Sequence, residues 1–206
     1  MLGVFSESYP FISLETIRPN LLVYEANKWV GFTEDPKHDN YGQVVDRFQE
    51  TVSGEARGGE PWCMDFVHFC LREVNIFSAT FLSDVFVSRL LKSASCIEVF
   101  KHYKKNGYEI FHRPFIGAIP IWERPDREHG HTGIVYGVDY DLFYTVEGNT
   151  SNPLPNPTGV HRPEGVFQKV RNIKNPPADW NLLGFLDPWR ADWRGYAGKT
   201  NCHPAV

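Results

Sequence analysis

The sequence predicts an α+β fold in which N-terminal helices pack on a C-terminal antiparallel β-sheet, and three observations carry that expectation. Apolar residues recur at helical spacing up to Gly107, whereas short β-branched or aromatic runs broken by Pro, Gly, Asp and Asn take over beyond it. The 206 residues, 42% hydrophobic and 15% aromatic, suffice for one well-packed core and leave little room for a second. The organisation expected is an N-terminal extension over 1–18, a main domain over 19–187 and an irregular C-terminal extension over 188–206.

Taken in order, Pro19 followed by Leu21, Leu22, Ala26, Trp29 and Val30 predicts a first helix of roughly Pro19 to Val30, stopped by Gly31. Polar loop follows from Glu34 to Gly42, then a second helix from Gln43 to Val52 ending near Gly54. Next, Cys63, Phe66, Val67, Cys70, Leu71 and Val74 fall at i, i+3, i+4, i+7, i+8 and i+11, one buried face of a third helix whose start is marked by Pro61. Ser83 to Lys105 reads as helical, broken near Ser93 to Ser95 and stopped at Gly107. The strands expected are Phe115 to Trp122, His131 to Asp139, Leu142 to Glu147, Val166 to Val170 and Leu182 to Leu186, with a tight turn at Asp139 to Asp141.

A formal net charge of −4 gives no electrostatic reason to expect nucleic acid or an anionic membrane as partner. No segment is long enough to cross a bilayer, and the first 14 residues lack the basic start and apolar stretch of a secretory signal. Synthesis in the cytoplasm is therefore expected, with any action outside it requiring separate delivery. The four cysteines, Cys63, Cys70, Cys96 and Cys202, form no CxxC pair and are too few for a disulfide scaffold, so free thiols are expected.

One of these thiols is placed for chemistry. Cys63 lies two residues after Pro61 in a first helical turn, where unpaired N–H groups and the helix dipole favour a thiolate, and Gly58 and Gly59 before it would let a substrate backbone approach. Its periodicity fits a plain buried core residue as well. Gly130-His131-Thr132-Gly133-Ile134-Val135 sets a histidine at the mouth of a strand, on a face that Gly133 and Gly137 leave bare enough for a helix to lie close. On the next strand Glu147 and Asn149 share parity, so both are expected on one face, where either would hold the second imidazole nitrogen. Nucleophile, base and orienting acceptor form the minimum set for thiol catalysis.

Together, Glu60-Pro61-Trp62-Cys63, Gly130-His131-Thr132-Gly133-Ile134-Val135 and Thr145-Val146-Glu147-Gly148-Asn149-Thr150 resemble the signature of the CHAP family of cysteine, histidine-dependent amidohydrolases and peptidases. Phe115 to Ile121 is similar to the strand before that family's histidine, and the likeness runs from about Leu21 to Leu186. The resemblance implies a papain-like fold and cleavage of muramoyl-alanine or cross-bridge amides in bacterial peptidoglycan. Carried over by motif, Cys63 is the nucleophile, His131 the base and then acid, and Glu147 its orienting partner with Asn149 assisting; Trp62 and Gly130 are expected to touch substrate. Many relatives have Gln before the cysteine where this chain has Trp62, and the calcium loop of some has here only Glu55 and Glu60, so no cofactor or metal is expected.

Three rivals remain at this level. His129 and His131 form an HxH pair to which Cys63 would add a third ligand in a metal hydrolase. A cytosolic amidase acting on a small amide conjugate uses the same residues. The third is a non-catalytic phage structural protein that retains the fold; a phage particle or a secretion apparatus would equally supply the delivery that a wall enzyme needs.

Overall fold

The computed structural model describes residues 14–82, 86, 88–154, 162–177 and 179–189. Among the described residues four helices come first: α1 (Leu14–Asn27), α2 (Gln43–Ser53), α3 (Cys63–Phe81) and α4 (Cys96–Lys105). Six strands follow: β1 (Ile119–Glu123), β2 (Gly130–Thr132), β3 (Ile134–Asp139), β4 (Leu142–Thr150), β5 (Gly165–Asn172) and β6 (Asn181–Leu186). All strand pairs are antiparallel, so the chain has the expected α+β, papain-like order. The strands divide into two three-stranded sheets, β2-β1-β6 and β3-β4-β5.

The division falls inside the run expected as one strand, His131 to Asp139. It breaks at Gly133, where an added Cβ would stand 2.6 Å from Glu147 Cγ and 2.8 Å from Val146 O. Only glycine lets the chain pass this close to β4 while it crosses from one sheet to the other.

Helix α3 is the centre of the molecule. Every residue from Cys63 to Leu71 is buried, because α1 and α2 cover one side and the sheets the other. Around it Trp29, Phe48, Phe66 and Phe69 pack with ring centroids 4.9–5.3 Å apart, mostly edge to face, the arrangement that aromatic quadrupoles favour. The close approach of α3 to β4 takes place at Gly148, where an added Cβ would lie 2.7 Å from Trp62 Cζ3 and 2.8 Å from Phe66 Cβ. Gly137, one of the residues expected to make room for a helix, faces Tyr144 instead.

Other boundaries also differ from expectation. Helix α1 begins at Leu14, five residues early, and carries Pro19 inside it rather than in its first turn. Of the long helix expected over Ser83 to Lys105, the described residues are helical from Cys96. Residues 88–95 are not helical, and there Ser93 Oγ accepts the Ser95 N–H and Ser95 Oγ accepts the Glu98 N–H at 3.1 and 3.2 Å, local bonds that replace helical ones and cap α4. Residues 83–85 and 87 of that run lie outside the described residues, as do 1–13 and 190–206 of the two extensions. The strand expected from Phe115 starts at Ile119, because Ala118 N–H closes a turn onto Phe115 O and Gly117 takes φ 81° against Pro19. Tyr140 at φ 51° makes the expected turn between β3 and β4.

Candidate active site

Cys63 is the first residue of α3, as its place after Pro61 predicts. It is 5% exposed, with Sγ 3.6 Å from Cys96 Sγ and 3.9 Å from the Gly130 carbonyl oxygen. Cys96 is itself the first residue of α4, so two helix N-termini converge on one pair of sulfurs. That convergence favours a single negative charge there. The Cys63 thiol titrates well below the ordinary range, because its contact with the Cys96 sulfur and the neighbouring His131 imidazole together outweigh burial. Cys96 is pushed well up by the same neighbour and by burial, the direction opposite to that of Cys63.

His131 on β2 and Glu147 on β4 meet across the junction of the two sheets. The His131 Nε2–H donates to Glu147 Oε2 at 2.8 Å, which leaves Nδ1 as the ring nitrogen available for proton exchange. Burial alone would lower the imidazole; the neighbouring Cys63 and the bond to Glu147, with the charge on each, override it and raise His131 to about 10. Trp122 stacks on the imidazole at 5.9 Å and 30°, and Trp180 lies at 5.9 Å and 54° from it. Glu147 is fully buried and yet ionised. Burial would raise its carboxyl, but hydrogen bonds from His131 and Arg171 hold it down to about 2. Thr145 Oγ1 donates to Oε1 at 2.6 Å, Arg171 Nε donates to Oε1 at 2.7 Å, and a second Arg171 nitrogen donates to Oε2.

Asn149 is not beside Glu147. The β4–β5 register shifts between Glu147 and Thr150, and Asn149 takes φ 52°, so strand parity fails at this point. Its Oδ1 accepts the Trp62 N–H at 3.1 Å, while Nδ2 faces Glu34 Oε1, Asn40 Oδ1 and Glu164 Oε2 at 2.9–3.0 Å. Asn149 thus ties the start of α3 to the loops that hold Glu34 and Glu164. Trp62, expected to touch substrate, is 1% exposed and donates its indole N–H to Glu34 Oε1 at 2.7 Å, because the α3 helix seats it in the core. Gly130 is held close to α4, where a Cβ would stand 2.7 Å from Cys96 Cβ, and its carbonyl oxygen lies 3.9 Å from Cys63 Sγ, a contact that serves as a hydrogen bond only while Cys63 carries its proton. Gly58 and Gly59 lie under the Tyr41 ring rather than open to a substrate backbone.

His129 points away from His131: it is exposed, and its Nδ1 pairs with Asp126 at 2.7 Å. Among the described residues, no group of three or more His, Cys, Asp or Glu gathers as metal ligands. A cleft of about 210 Å³ runs beside the imidazole, lined among others by Trp122, His131, Asn149, Glu164, Arg171 and Trp180. Cys63 is not among its lining residues, and the residue as a whole is 5% exposed. Sequence reasoning missed Cys96, Thr145 and Arg171. Thr145 shares strand parity with Glu147 and was within reach of a pattern argument, whereas no spacing rule links Cys96 or Arg171 to the site.

The model of the CHAP domain family matches residues 55–149, a span that holds Cys63, His131, Glu147 and Asn149 and stops short of Arg171. No curated protein matches the chain. The family match implies a hydrolase of the amidase or peptidase kind whose general substrate is peptidoglycan. None of the described helices is long and apolar enough to cross a membrane.

Proposed function

Since the chain carries a CHAP domain over residues 55–149, we propose that it is a cysteine amidohydrolase that cleaves amide bonds of bacterial peptidoglycan through an acyl-enzyme on Cys63. The observation that supports this reading most is the linked set of a depressed thiol at the α3 N-terminus, an imidazole with only Nδ1 left for proton transfer, and a buried carboxylate holding Nε2.

The Cys63 thiolate attacks the substrate carbonyl carbon, and the oxyanion that forms meets the N–H groups of the first turn of α3, that of Cys63 among them. The imidazolium passes its Nδ1 proton to the departing amine as the C–N bond breaks, which leaves a thioester. Water then loses a proton to Nδ1 and attacks the thioester, and Cys63 leaves as thiolate. Glu147 keeps the imidazole in one orientation and stabilises its cationic form in both halves of the reaction. On this reading the site of action is the cell wall, reached by delivery in a phage particle or through a secretion system.

The test is digestion of purified peptidoglycan by the wild type and by Cys63→Ala, with muropeptides analysed by mass spectrometry. New free amino groups are expected with the wild type and none with the variant. A wild type that releases nothing from peptidoglycan while its Cys63 still reacts rapidly with iodoacetamide overturns the wall substrate and turns the search to small amide conjugates.

A further inference from the structure

A buried carboxylate is a poor anchor for a histidine unless something keeps it ionised and still. Glu147 is fully buried, and its two oxygens take four donors: Thr145 and Arg171 Nε on Oε1, His131 and the second Arg171 nitrogen on Oε2. Arg171 comes from β5, where it pairs with Phe143, and it reaches four residues along β4 to grip the carboxylate with both prongs of its fork. Its guanidinium lies over the Trp122 ring at 5.4 Å, and Trp122 in turn stacks on His131 and on Phe143. The fork therefore has no freedom to turn away.

We infer that Arg171 is a positioning residue of the site, completing an alternating chain of charge, thiolate Cys63, imidazolium His131, carboxylate Glu147 and guanidinium Arg171, and so fixing the geometry and ionisation of the other three. This assignment rests on the reading of Cys63 and His131 as nucleophile and base. With Arg171 present the four charges sum to zero. Without it they sum to minus one, and the proton affinities in the set rise, that of Glu147 first, because Arg171 is one of the two cations that hold its carboxyl down. A lysine restores the charge but not the two-pronged grip.

The experiment measures the rate at which iodoacetamide alkylates Cys63 as a function of pH, read by the mass of the Cys63 peptide, in wild type, Arg171→Met and Arg171→Lys. No peptidoglycan is needed. Arg171→Met should move the inflection for thiolate formation to higher pH by about one unit. It should also lower kcat for amide release by about tenfold or more, a share of the roughly 10²–10⁴ that positioned acid–base catalysis contributes. Arg171→Lys should keep the wild-type profile and lose turnover only. A merely structural arginine would reduce the fraction of folded protein and leave the profile of the remainder in place, so a folded Arg171→Met with the wild-type profile overturns the assignment. If the methionine variant does not fold, Arg171→Lys decides: wild-type turnover overturns the assignment, and reduced turnover with the profile kept supports it. A wild type whose Cys63 alkylates only in the ordinary thiol range refutes the nucleophile reading itself, and the Arg171 assignment with it.

Discussion

Gly148→Ala should push the Cys63 helix off the strand that carries Glu147. An added Cβ at this position would stand 2.7 Å from Trp62 Cζ3, 2.8 Å from Phe66 Cβ and 3.0 Å from Phe66 Cγ. The shortest of these is about 0.7 Å inside ordinary van der Waals contact. Neither neighbour can turn aside, since Trp62 is pinned by its bonds to Asn149 and Glu34 and Phe66 is packed on Phe48. The clash must be relieved by moving α3 as a body. Overpacking of this kind costs about 1–3 kcal/mol. Displacement matters more than the energy, because Cys63 is the first residue of the helix that moves while His131 and Glu147 stay with the sheets. A misplacement of about 1 Å lowers rates by roughly 10²-fold, so a shift somewhat smaller should still cost about tenfold in turnover. Urea midpoints at constant slope report the first effect and kcat for amide release the second. Gly137→Ala is the control, since its nearest contact is the Tyr144 side chain at 3.2 Å, away from α3. Wild-type stability and turnover in Gly148→Ala would refute the argument that this glycine sets the distance between helix and sheet.

Two further outcomes follow from the buried titratable groups. Cys96→Ala removes the sulfur 3.6 Å from that of Cys63, so the pH profile of Cys63 alkylation should move to higher pH, whereas Cys70→Ala, deep in the core of the same helix, should leave that profile alone and cost only about 1 kcal/mol in stability; equal profiles for all three proteins would remove Cys96 from the site. His68 is buried with Nε2 unpartnered, and burial, against bonds to the Leu91 and Ser93 backbone, holds it down to about 4 from 6.5. The unfolded chain then binds the extra proton first, so stability is full above 6.5 and falls as pH drops towards 4, by up to about 3 kcal/mol. His68→Gln should flatten that acid limb in urea titrations, and an unchanged limb would show that other groups cause it.

What the sequence made legible was chemistry carried by short, contiguous patterns. Cys63 could be placed at a helix start because Pro61 and an i, i+3, i+4 apolar face mark both the boundary and the buried side. Glu147 could be placed facing a strand neighbour because parity holds from Phe143 to Glu147. Two residues later the same rule misplaced Asn149, since a register shift and a left-handed backbone rotate it towards Trp62 and Glu34, and neither leaves a mark in residue type. Glycines were misread for a related reason. Gly133 and Gly137 look like room for a helix, but they lie against Glu147 and Tyr144, and the glycine that faces α3 is Gly148. Arg171 and Cys96 were out of reach altogether, because each joins the site through a tertiary approach across 24 and 33 residues of chain.

The two sheets give the site its dependence on packing. His131 belongs to β2-β1-β6 and Glu147 to β3-β4-β5, so the bond between imidazole and carboxylate is also a bond between sheets. Gly133 is the only residue between β2 and β3, and the carboxylate sits directly against it. Cys63 belongs to neither sheet and is brought to the imidazole by α3, whose distance from β4 is set at Gly148 and whose first turn is tied down by Asn149. Three independently held pieces therefore have to agree before thiol, imidazole and carboxylate line up. A proline or a bulky residue at position 133 should for that reason disturb His131 and Glu147 together while Cys63 keeps its place on α3, which is the opposite partition from Gly148→Ala.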